Sequence, residues 1–154
     1  MEYVRLGTTG LKVSRICLGM MTYGDTAWRD WVLDEATSLP LIRQAFDAGV
    51  NFFDTANAYV GGVSETMLGK ALKGRRADAI VASKVFNPMG GRPNDSGMSR
   101  LHIMQAVEDS LRRLQTDYLD LYYIHHVDHQ TPLDEMLQAF DDLVRQGKVL
   151  YTGC

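Results

Sequence analysis

Four side chains in this sequence, Asp54, Tyr59, Lys84 and His125, have the types and the placement needed to move a proton. Each falls at the far end of a strand-like run or in the loop just after one. Asp54 closes the apolar run 50–54 and Tyr59 follows in its loop, Lys84 ends the run that starts at Ala79, and His125 follows the run 118–124. In a parallel α/β sheet those ends share one edge, so a carboxylate, a phenol, an ammonium and an imidazole would converge on one mouth. A free phenol keeps its proton to about pH 10, and a cation about 4 Å away stabilises the phenolate by up to roughly 4 kcal/mol at an effective dielectric of about 20. Tyr59 would therefore be the acid, Lys84 the group that eases release of its proton, and Asp54 the anchor that holds the ammonium.

His125 is followed by His126 and His129. Strand alternation puts His125 and His126 on opposite faces, so one of them points into the mouth. His125, Asp128 and His129 are of types that bind zinc, but no further ligand cluster or cysteine pair accompanies them. Asp117, Asp120 and Asp128 are read as structural partners for backbone amides and loop groups.

The elements that would position these groups follow from periodicity and punctuation. Residues 3–6 and 11–13 read as a hairpin around Gly7-Thr8-Thr9-Gly10, and residues 16–19 as a short buried strand. A polar and aromatic loop through Tyr23, Trp28 and Trp31 follows, placed either to wall a substrate pocket or to pack on the rim. The first helix is capped by Ser38, with Asp34 as an earlier start, Pro40 in its first turn and Leu41, Ile42, Ala45 and Phe46 as its stripe. Ser64 opens a second helix with Met67, Leu68, Ala71 and Leu72 on one face. Residues 87–94 are too rich in breakers for regular structure and read as a mobile loop. Ser99 caps a third helix. Thr131-Pro132 opens a fourth, with Leu137, Phe140 and Val144 inward, and residues 149–154 begin a fifth main strand.

Alternation of apolar strands with helices means parallel pairing, in a doubly wound sheet or a barrel. A dinucleotide-binding doubly wound domain would carry a G-x-G-x-x-G turn after its first strand. Here Gly19 is followed by Met20-Met21-Thr22-Tyr23-Gly24, which favours the barrel. With 154 residues, 45% hydrophobic and 23% charged, the chain suits a single domain spanning 1–154. Its formal charge of −3 argues against nucleic acid, and its basic runs, Lys73–Arg76 and Arg112-Arg113, sit at helix ends. No run approaches the roughly 18 apolar residues of a membrane span. Two distant cysteines, Cys17 and Cys154, and no apolar leader segment fit a reducing, cytoplasmic setting.

Four stretches in order, Leu6–Ser14, Phe52–Tyr59, Ala82–Val85 and Tyr118–Asp128, resemble the aldo-keto reductase superfamily. Singly each of the four candidate residues has an ordinary structural use; together, in matching barrel positions, they are specific. The resemblance implies a parallel (β/α)8 barrel of TIM type, of which this chain supplies about the first half, preceded by the hairpin. It implies that Asp54, Tyr59, Lys84 and His125 are the catalytic tetrad, with His125 orienting the substrate carbonyl. It also implies NADPH as cofactor, with Gly19, Met20, Met21 and Asp54 among its contacts, and a small-molecule aldehyde or ketone as substrate. No side chain donates hydride, so a reductase must borrow one from such a cofactor. The resemblance is closest to the branch that includes bacterial reductases and the potassium-channel β subunits. A second reading is therefore a regulatory module that holds cofactor without useful turnover. A barrel of this type needs about 250 residues. The chain is then either part of a longer reductase or completes its sheet with another copy, the open barrel edges favour self-association, and alone it should be inactive.

Overall fold

The computed structural model describes all of residues 1–154. β1 (Tyr3–Arg5) and β2 (Lys12–Ser14) form the expected antiparallel hairpin, Val4 opposite Val13. Strands and helices then alternate: β3 (Cys17–Gly19), α1 (Glu35–Asp47), β4 (Phe52–Asp54), α2 (Val63–Ala71), β5 (Ile80–Val85), α3 (Arg100–Leu114), β6 (Leu119–Ile124), α4 (Leu133–Arg145) and β7 (Val149–Gly153). Strands β3 to β7 pair in sequence order, every neighbour parallel. A doubly wound sheet reverses its strand order at a switch point; an unbroken sequential order is that of a barrel wall.

The two faces of this sheet differ. Phe53, Val81, Val85 and Tyr122 are fully buried beneath the helices, among Ile42, Phe46, Met67, Leu68, Ile103 and Phe140, in a core of 25 residues. On the other face Phe52, Asp54, Lys84, Tyr123 and Tyr151 are only half-buried. Strands β3 and β7 are open edges. Helices α2 and α3 approach closely because position 69 is glycine: a Cβ there would lie 2.6 Å from the Leu114 carbonyl oxygen.

Several local expectations are corrected. Asp34, not Ser38, caps α1, accepting from the Thr37 amide at 2.9 Å, while Ser38 is buried and donates to the Leu33 carbonyl at 3.0 Å. Starting the helix at Glu35 moves Pro40 from the first turn into the interior, where its missing N–H forfeits a ladder bond, and Leu41 is exposed. Gly62, in the left-handed region at φ 92°, precedes α2, so Ser64 lies within the first turn. Pro132, at ψ 136°, takes the cap position of α4; the Thr131 hydroxyl instead donates to Asp128 at 2.8 Å. The inward stripe of α4 is Met136, Ala139, Phe140 and Leu143, which leaves Leu137 and Val144 exposed. Both apolar stripes have helical spacing, so periodicity alone could not say which one meets the sheet.

Candidate active site

Lys84 organises the mouth at the C-terminal edge of the sheet. Its Nζ donates to Asp54 Oδ2 at 2.7 Å, to the Thr55 carbonyl at 2.7 Å and to the Tyr59 hydroxyl oxygen at 3.1 Å. An ammonium has three hydrogens, and these three acceptors use them all. The Tyr59 hydroxyl thereby accepts from Lys84 and keeps its own hydrogen free to donate elsewhere. Register explains the meeting: Asp54 pairs with Ala82, and Lys84 is the next residue up β5 on the same face. The Lys84 and Asp54 side chains retain 14% and 30% of their exposure, enough shelter for the pair to be held and enough opening for a ligand to reach it.

Tyr59 is delivered by an unusual turn. Residues Tyr59–Gly62 form a 3₁₀ segment in which Val60 takes φ 51°, ψ 39°. A β-branched residue in the left-handed region is strained. Val60 is held there by burial, 4% exposed, against Gly24, where an added Cβ would lie 2.9 Å from a Val60 methyl.

His125 follows β6 directly, and its amide donates to the Val85 carbonyl at 3.1 Å. Its ring meets that of Tyr59 edge-on, centroids 5.7 Å apart. Burial, then Lys84 and His126, hold its pKa below the usual histidine value, with Asp54 opposing them. The expectation that His125 and His126 point to opposite faces is wrong. Their rings stack at 4.7 Å and 6°, because strand alternation ends at Ile124 and both lie in the following turn. His126 also packs edge-on against Phe86, at 5.2 Å.

Of the residues expected at a cofactor, Gly19 and Met21 are exposed at the end of β3, and Gly19 pairs with Asp54. Met20 is different: its side chain is fully buried in the core, its amide donates to Asp54 O at 2.8 Å and its carbonyl accepts from Ser64 Oγ at 2.7 Å. Met20 thus ties β3, β4 and α2 together beneath the mouth and presents no free group to a ligand. The same face of the sheet carries Tyr123, paired with Lys84, and Cys17, paired with Phe52. Desolvation by neighbouring groups and the Asp54 charge raise the pKa of both, that of Cys17, exposed at the sheet edge, to about 11 against the opposing pull of Lys84. Gly153 makes room for Tyr123, whose ring atom would lie 2.4 Å from a Cβ there.

Three features escaped the sequence reading. Asn87, in the loop after β5, places its amide nitrogen 3.1 Å from His125 Nδ1. Glu65, fully buried, accepts from Ser83 at 2.5 Å and from Arg113 at 2.6 Å, locking α2 to β5 and α3. Asn57 is fully buried with neither amide atom bonded to protein, at a cavity of about 70 Å³ shared with His102 and Arg113. None carries a signal in spacing, since each depends on which loops meet. Asp128, as expected, serves backbone groups, accepting from the amides of Met98 and Gln130, both at 2.9 Å. Trp28 lines a shallow apolar recess with Ala58, Val60, Pro88 and Met89, next to Tyr59, and meets Trp31 edge-on at 5.6 Å; Tyr23 lies outside the recess.

The sequence pattern of the Aldo/keto reductase family matches residues 15–154. The chain belongs to this family. It is 42% identical over 173 residues to the versiconal hemiacetal acetate reductase of Aspergillus parasiticus, covering 99% of this chain and 50% of that protein. It is 39% identical over 158 residues to a probable voltage-gated potassium channel subunit beta of Oryza sativa subsp. japonica, covering 99% of this chain and 46% of that protein. In structure it resembles the holo form of aldo-keto reductase AKR11C1 from Bacillus halodurans, with a TM-score of 0.87 at 39% identity, covering 99% of this chain and 49% of that one. The chain spans about half the length of the relatives it matches. Its sheet is accordingly the N-terminal half of an aldo-keto reductase (β/α)8 barrel, and the hairpin β1–β2 precedes the first barrel strand. No helix is long and apolar enough to cross a membrane.

Proposed function

We propose that this chain carries the proton-transfer half of a nicotinamide-dependent reductase that converts an aldehyde or ketone to an alcohol. The observation that carries the reading is the Lys84 ammonium donating to the Tyr59 oxygen at 3.1 Å, which leaves the phenolic hydrogen to a substrate. As a carbonyl oxygen gains negative charge, Tyr59 delivers that hydrogen to it. The ammonium then stabilises the phenolate left behind, and Asp54 with the Thr55 carbonyl keeps the ammonium in place. His125, neutral by burial, donates a second hydrogen bond to the same carbonyl and orients it.

A bound reduced nicotinamide would supply the hydride. The residues here fit one side of such a group: exposed Gly19 and Met21 beside Asp54 form an open ledge at the end of β3, where a Cβ on Gly19 would meet no atom within 4 Å. Met20 contributes by holding that ledge from below. NADPH, rather than NADH, is proposed from the family likeness. The substrate is a small carbonyl compound whose apolar part faces the Trp28 recess. The regulatory alternative draws on the likeness to the channel subunit beta. The joined Lys84, Tyr59 and Asp54 groups favour turnover, because holding a cofactor alone requires no poised acid.

The test is absorbance loss from NADPH on addition of a simple aldehyde to the whole protein. Steady consumption with alcohol formed in equal amount supports the reductase. Cofactor binding with no consumption across a panel of aldehydes and ketones would favour the regulatory module.

A further inference from the structure

We propose that Asn87 sets the tautomer of His125 and so fixes which ring nitrogen offers a hydrogen to the substrate. The proposal rests on the reductase reading above and adds a positioning residue to it.

Asn87 Nδ2 lies 3.1 Å from His125 Nδ1. An amide nitrogen has only hydrogens to offer, so the ring nitrogen facing it must present a lone pair. A neutral imidazole with its lone pair on Nδ1 carries its single proton on Nε2. The imidazolium is disfavoured by the same contact, since it would set one N–H against another. The charged and titratable groups around the ring are the Lys84 ammonium on β5, Asp54 on β4, the Tyr59 hydroxyl on the following turn and His126 stacked on it. Of these only Asp54 favours a second proton.

The contact is held from both sides. The His125 amide donates to Val85, two residues before Asn87, at 3.1 Å. On the other flank the Gly97 amide donates to the Phe86 carbonyl at 2.7 Å, and Met98 is tied to Asp128 at 2.9 Å, which pins the far end of the loop. The loop read from sequence as irregular and mobile thus has its first residues fastened to the site. Nε2–H and the Tyr59 O–H then form a pair of donors for one carbonyl oxygen, where the opposite tautomer would offer a lone pair and repel it.

The experiment is nitrogen NMR of the whole protein labelled with ¹⁵N-histidine, the His125 signals assigned by their loss in His125→Gln. The expected result is an unprotonated Nδ1 and a protonated Nε2 near neutral pH. In Asn87→Asp a carboxylate accepts from Nδ1–H, so that nitrogen should become protonated and proton affinity should rise about tenfold or more. Where turnover is measurable, kcat should fall while the KM for cofactor holds. A protonated Nδ1 in the unaltered protein overturns the proposal, as does an unchanged His125 titration in a folded Asn87→Asp variant. If that variant fails to fold, the tautomer in the unaltered protein decides by itself. An inactive protein with unprotonated Nδ1 would uphold Asn87 and refute the reductase, and an active one with protonated Nδ1 would do the reverse.

Discussion

The Lys84 ammonium donates to the Tyr59 hydroxyl oxygen at 3.1 Å while Asp54 holds the same ammonium at 2.7 Å. That order, carboxylate to ammonium to phenol, gives each group one direction of influence, and consequences follow for each of them.

Replacing Lys84 with Met removes the cation but keeps the length of the side chain. Asp54, 30% exposed, would then be a sheltered carboxylate with no partner, at a cost of about 2 kcal/mol. Adding Asp54→Asn should recover part of that loss. Urea unfolding of the two single variants and the double variant measures the coupling, and full additivity would show that the pair contributes nothing to stability.

His125 has a pKa below the ordinary histidine value in the folded chain, so the unfolded chain binds its proton more readily. Its contribution to stability is present above the unfolded value of about 6.5 and is lost as pH falls through the lower folded value. Stability measured from pH 7.5 down to 5 should therefore fall less steeply in His125→Gln. An identical slope in both would show that other groups carry the acid sensitivity.

At Val60 the usual ranking of substitutions should invert. Val60→Ala removes buried methyl groups and keeps the strained φ of 51°, whereas Val60→Gly also relieves the strain. Glycine should be the more stable of the two by about 1 kcal/mol, read from denaturation midpoints. Alanine being the more stable would mean the left-handed turn is not where the strain lies.

Gly69→Ala places a Cβ 2.6 Å from the Leu114 carbonyl oxygen, a backbone atom that cannot swing aside. The forced separation of α2 and α3 should cost about 2 kcal/mol. A thermal melt unchanged from the parent would show that the helices have room to part.

The sequence disclosed strand order and the meeting of Asp54, Tyr59, Lys84 and His125 at one sheet edge because both depend on short-range signals. Apolar runs ending in Asp54, Lys84 and His125 are visible residue by residue, and a parallel sheet gathers such ends without further information. Helix boundaries were less legible: Asp34 and Ser38 are both good caps, but the Asp34 carboxylate takes the Thr37 amide while the Ser38 hydroxyl is turned to the Leu33 carbonyl. The side of α4 that faces the sheet was ambiguous because Leu133, Leu137 and Val144 form a second apolar stripe, exposed here. Asn87 was out of reach for another reason. Its partner lies 38 positions away, and only the meeting of two loops makes the pair.

The most direct test of the central claim is a comparison of the whole protein with Tyr59→Phe, following cofactor binding by fluorescence and aldehyde reduction by absorbance. Phenylalanine keeps the ring beside Lys84 and His125 and deletes the hydroxyl, and with it the proton and the third acceptor of Lys84. Cofactor affinity should be unchanged and turnover lower by about a hundredfold or more. Turnover within a few-fold of the parent would contradict the claim, because the proton would then come from another group.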